Sequence, residues 1–92
     1  MPRYVIEREI PGAGDWTDEQ IREGSLRSLE ALRSLGAEIQ WIHSYVTDNK
    51  LYCIYVAPDE DIIRRHAELT NTPANRISRV RHLLDPTDYV ST

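Results

Sequence analysis

A strand, a helix and a strand occur in that order twice along these 92 residues, and no other feature limits the possible folds so tightly. Residues 3–10 (RYVIEREI) alternate, with Tyr4, Ile6 and Ile10 on one side and Val5, Glu7 and Glu9 on the other, which is the period of a strand. Pro11-Gly12-Ala13-Gly14 ends that run as a turn, since proline lacks a donor and glycine tolerates positive φ. A helix start follows: Thr17 as N-cap, Gln20 as its capping-box partner three residues on, and Trp16 with Ile21 at the hydrophobic-staple positions. Asp18 and Glu19 put negative charge in the first turn, where the helix dipole favours it. Ile21, Leu29, Leu32 and Leu35, with Ser25 and Ser28 between them, make a stripe at helical spacing, and Gly36 closes the helix.

Residues 39–47 (IQWIHSYVT) and 51–57 (LYCIYVA) flank Asp48-Asn49-Lys50 and read as a hairpin. Two registers compete. A two-residue turn, Asp48-Asn49, pairs Ser44 with Cys53 and His43 with Ile54, mixing polar and aliphatic residues on both faces. A three-residue loop pairs Tyr45 with Cys53 and His43 with Tyr55. It collects Trp41, His43, Tyr45, Cys53 and Tyr55 on one face, and Ile42, Val46, Ile54 and Val56 with Ser44 and Tyr52 on the other. A slip of one residue exchanges the faces, and the three-residue loop is expected because it alone offers helices an aliphatic face to cover.

Pro58-Asp59 opens a second helix, about 59–70, with Ile62, Ile63, Ala67 and Leu69 on its apolar side and Asn71-Thr72-Pro73 as its end. Arg76 to Leu84 (RISRVRHLL) reads as the last strand, stopped by Asp85-Pro86. The order βαββαβ predicts an α+β, ferredoxin-like sandwich: an antiparallel sheet with two helices on one face, of the dimeric α+β-barrel type. It forms one domain over residues 1–86, with a C-terminal tail over 87–92. The uncovered sheet face must be polar, hold a ligand or meet a second subunit. A chain this short buries only about 60–65% of the surface it exposes when unfolded, so a homodimer through that face is expected.

The 15 acidic and 11 basic residues leave a net charge of −4, which argues against nucleic acid or an anionic membrane as partner. A single cysteine, Cys53, excludes an internal disulfide and fits a reducing cytoplasm. No apolar run at the N-terminus suggests a signal peptide, and none approaches the roughly 18 residues of a membrane span, so a soluble, cytoplasmic protein is expected.

His43, Cys53 and His66 are the candidate metal ligands, with His82 a further imidazole and Glu7 and Glu9 the nearby carboxylates. Imidazole and thiolate suit a divalent transition metal rather than calcium or magnesium. Dense ligand spacings such as Cys-x-x-Cys or His-Glu-x-x-His do not occur. In the expected register His43 and Cys53 meet on the open face, whereas His66 lies on the covered side, so a specific site needs ligands from two subunits, or carboxylate and water. No catalytic constellation stands out. Cys53 lacks the helix N-terminus that activates a thiolate, and Glu7 with Glu9 reads as a solvated or salt-bridged pair, with Arg76, Arg79 and Arg81 as neighbours. Trp41, Tyr45 and Tyr55 on the open face are candidates for binding a small organic ligand in a mostly apolar pocket.

Arg8-Glu9-Ile10-Pro11-Gly12, Trp41 with Ser44-Tyr45-Val46-Thr47-Asp48, Tyr52-Cys53-Ile54-Tyr55, and Ala57-Pro58-Asp59-Glu60 followed by His66-Ala67 occur in this order. Together, over roughly residues 2–86, the pattern resembles a family of small bacterial proteins, catalogued as a domain of unknown function, that includes a nickel-binding ferredoxin-like dimer. That resemblance implies a homodimer that binds a nickel ion at its surface, with a role in sequestration or detoxification. Cys53 and His66 match residue types of the family pattern, while His43 stands where members differ. The alternative is a dimeric α+β-barrel protein that binds or transforms a small organic ligand on the open sheet face.

Overall fold

The first helix begins where its capping box places it. In the computed structural model, which describes residues 1–89, α1 (Asp18–Leu35) starts after Thr17. The Thr17 hydroxyl accepts from the Gln20 amide at 3.1 Å, and the Gln20 side chain returns the bond to the Thr17 amide at 2.9 Å. Gly36 ends it at φ 95°, a conformation that side chains resist. Thr17→Ala removes the hydroxyl half of this box and is expected to cost about 1 kcal/mol, read as a lower urea midpoint at unchanged slope. The second helix, α2 (Glu60–Thr70), is capped by the Asp59 carboxylate, which accepts from the Ile62 amide at 3.1 Å. Among the described residues, no helix is long and apolar enough to cross a membrane.

Four strands, β1 (Arg3–Glu9), β2 (Gln40–Val46), β3 (Lys50–Val56) and β4 (Arg76–Arg79), form one antiparallel sheet in the order β2-β3-β1-β4. This is the expected α+β, ferredoxin-like arrangement. Tyr4 and Ile6 of β1 sit beside Tyr55 and Cys53 of β3, and Leu32 of α1 and Ile63 of α2 pack on the same face to close the core. The last strand is shorter than expected. It pairs with β1 up to Tyr4–Arg79, and the Val80 amide still reaches the Arg3 carbonyl at 2.8 Å, but beyond Arg3 there is no strand left to pair with. His82, Leu83 and Leu84 therefore lie exposed in irregular chain. Of the tail expected over 87–92, Pro86–Asp88 forms a single 3-10 turn, and residues 90–92 lie outside the described residues.

The hairpin departs from the expected register. The Thr47 amide bonds the Lys50 carbonyl at 2.9 Å, so the loop is the two-residue turn Asp48-Asn49, with Ser44 opposite Cys53 and His43 opposite Ile54. A bulge between Trp41 and His43 then puts Trp41 opposite Tyr55. One extra residue, Ile42, thus re-phases the strand, and period-two alternation read through that point assigns Trp41 and His43 to one face when they belong to opposite ones. The turn is anchored by the loop after β1, whose Gly14 amide reaches the Asp48 carbonyl at 3.0 Å. A Cβ on Gly14 would lie 2.8 Å from the Asp48 Cα, so only glycine lets the two backbones approach this closely.

Candidate functional site

The helix-covered face is built by the even positions of β1, Tyr4, Ile6 and Arg8, which pair with Tyr55, Cys53 and Leu51 of β3. Trp41, Ser44 and Val46 continue this face on β2 as partners of the same three β3 residues. The open face carries Val5 and Glu7, then Tyr52, Ile54 and Val56, then His43 and Tyr45. The sheet therefore separates His43 from Cys53, contrary to the expectation that they meet. The aromatic group is also divided, Trp41 and Tyr55 under the helices and Tyr45 outside.

His43 is exposed, with its ring edge-on to that of Tyr45, centroids 5.1 Å apart. The carboxylate of Glu7 faces Arg76 Nε at 3.9 Å, the pairing expected of that acidic strand, and Asn75 accepts from the Glu9 amide at 2.7 Å.

On the other side, His66 of α2 lies on the covered face, as expected. It is 2% exposed, with its ring centroid 5.4 Å from that of Tyr55. Its Nε2 lies 3.2 Å from the Ser28 hydroxyl and 3.3 Å from the Ser28 carbonyl. A carbonyl can only accept, so it fixes the proton on Nε2 and leaves Nδ1 a lone-pair acceptor. Nδ1 is buried without a partner. Burial holds the His66 pKa below the ordinary imidazole value, the nearby Arg8 charge lowers it further, and the Ser28 carbonyl opposes both. Burial pushes the Tyr55 hydroxyl up, Cys53 adds to this, and the Arg8 and Ser28 side chains pull the other way.

These groups surround a cavity of about 670 Å³ between α1 and the sheet. The cavity exists because the inward side of α1 carries Gly24, Ser25 and Ser28, too small to reach the strands. Cys53, Tyr55 and His66 line it, and Trp16, Ile21 and Trp41 supply apolar wall. Trp41 is held by its own Nε1–H, which donates to the Ser44 hydroxyl at 2.9 Å. Cys53 and His66 thus share the cavity with the buried Arg8 guanidinium, and with Arg27, Glu9 and Glu23. Among the described residues, no three His, Cys, Asp or Glu side chains gather as a metal site.

Arg8 is the functional candidate that sequence reasoning did not single out. Its signal was available: position 8 falls in register with Tyr4, Ile6 and Ile10, so an arginine occupies the apolar side of the strand.

Comparison with known proteins agrees with the architecture. The family model described as "Nickel responsive protein SCO4226-like" matches residues 4–80. No curated protein matches significantly. The crystal structure of SCO4226 from Streptomyces coelicolor A3(2) superposes with a TM-score of 0.75 at 14% identity, covering 89% of this chain and 99% of that one. At that identity the likeness establishes the fold.

Proposed function

Because this chain belongs to the SCO4226-like family of nickel responsive proteins, we propose that it binds nickel as cargo in the cytoplasm and sequesters it, at a site closed by two copies of the chain. Family membership is the observation that carries the proposal. The donor arrangement supports the second copy: one chain offers no group of three donors among the described residues, and a specific transition-metal site generally wants three or four. His43 is the donor in this scheme. It is an exposed imidazole just after the bulge of β2, beside the apolar strip of Val5, Ile54 and Val56 that no helix of the same chain covers. Two such strips laid together bury apolar surface and bring each His43 toward the partner's sheet. Cys53 and His66 stay inside the cavity, next to Arg8, and take no part.

Calorimetric titration with nickel at pH 7.5, together with sedimentation, tests this. Saturable binding to a dimer is expected, and His43→Ala should weaken it at least about tenfold while leaving the folding stability, read from urea denaturation, within about 0.5 kcal/mol of the parent. A monomer at micromolar concentration with nickel present, or unchanged nickel affinity in the His43→Ala protein, would remove the proposal.

A further inference from the structure

The cavity is lined by Arg8 and Arg27 and by the carboxylates of Glu9 and Glu23, and of these charged groups Arg8 is the buried one. Arg8 is 2% exposed. Its Nη1 donates to the Pro73 carbonyl at 2.8 Å. Among the described residues the ion pairs are Arg64–Glu60 and Arg76–Glu7, so no carboxylate answers Arg8. A guanidinium carries five N–H donors and is costly to bury, which is why buried arginines are ordinarily paired. Arg8 lines the 670 Å³ cavity, as does His66, which carries the one buried side-chain polar atom without a partner among the described residues. Arg8, a strong anion receptor, and His66, which carries the unsatisfied acceptor, thus both line the same space. The rest of the wall includes Trp16, Ile21, Trp41 and Leu51, and the volume falls within the roughly 300–1,000 Å³ of small-molecule pockets. Such a space is too large to be filled by a bare inorganic anion.

We propose that this cavity binds a small carboxylic acid with an aromatic or branched aliphatic body, its carboxylate seated against Arg8. The planar guanidinium matches a carboxylate with two parallel bonds, and the hydroxyls of Tyr55 and Ser28 stand close enough to the cluster to donate as well. The indole and aliphatic walls take the body of the acid, and a hydroxyl on that body satisfies His66 Nδ1. The ligand lies on the covered side of the sheet, not on the open face. It is independent of nickel, because a site built on a guanidinium selects anions.

The chain's two tryptophans, Trp16 and Trp41, both line the cavity, so intrinsic fluorescence reports its occupancy directly. The full-length protein is titrated with benzoate, 4-hydroxybenzoate, benzyl alcohol and inorganic phosphate. Saturable fluorescence change with benzoate is expected, with 4-hydroxybenzoate binding tighter and benzyl alcohol at least about tenfold weaker than benzoate, since it lacks the charge. Arg8→Met should weaken benzoate at least about tenfold, and Arg8→Lys should recover part of it. If neither variant folds, the ratio of benzoate to benzyl alcohol in the unaltered protein decides alone. Equal binding of the acid and the alcohol, no fluorescence change with either acid up to millimolar concentration, or binding of phosphate with both acids excluded would each overturn the assignment.

Discussion

Ile6→Ala is expected to remove about 2–5 kcal/mol of folding stability. Ile6 is completely buried at the centre of the sheet, with Cys53 on one neighbouring strand and Ile77 on the other. Truncation loses the transfer free energy of three carbon atoms and leaves a hole that two hydrogen-bonded neighbours hold open, so relaxation is limited. A domain of this size has roughly 5–15 kcal/mol in all, so the variant approaches the limit of folding. Urea denaturation followed by circular dichroism checks it, with Ile6→Val as the graded control at about 0.5–1.5 kcal/mol. A loss below about 1 kcal/mol for the alanine variant would mean that the sheet collapses onto the space, and that the core is less rigid than its contacts indicate.

Acid should destabilise the protein through His66. Burial first, and then the Arg8 charge, hold its folded-state pKa below the ordinary imidazole value of about 6.5. As pH falls through that value, the unfolded chain takes up the proton first. The contribution is therefore intact above about pH 6.5 and is lost at up to about 1.4 kcal/mol per pH unit until the folded-state pKa is reached. Arg8 is the charged group that faces the ring, with Tyr55 and the Ser28 carbonyl as its other close neighbours. His66→Gln can still donate to the Ser28 carbonyl but does not titrate, so its urea midpoint should fall less between pH 7.5 and 5.5 than that of the parent. Parallel curves for the two proteins would show that the imidazole is not the group responsible.

Local signals made the architecture legible. The Thr17–Gln20 box, the Asp59 cap and the alternation of β1 each depend on residues within a few positions of one another, and each lies where the sequence puts it. The faces of the hairpin were not legible, because they depend on a partner distant in sequence. Tyr4 and Ile6 turn toward the helices and oblige Tyr55 and Cys53 to do the same, and the bulge at Ile42 leaves no mark in an alternation pattern. Placing the aliphatic side of the hairpin under the helices followed hydrophobicity. The covered face is instead aromatic and polar, with Trp41, Tyr55 and Cys53 around a cavity, because small residues on α1 leave it incompletely filled. The same missing partner information obscured His66, whose burial depends on Ser28 thirty-eight positions earlier.

The bulge has a consequence beyond the orientation of side chains. β2 and β4 are the outer strands, and an outer strand with free amides and carbonyls is a template on which further chains can polymerise. β4 offers only four residues, and the irregularity between Trp41 and His43 interrupts β2 in its middle. Neither border presents a long, straight row of hydrogen-bonding groups, so the native molecule is poorly suited to seed fibrils by strand addition.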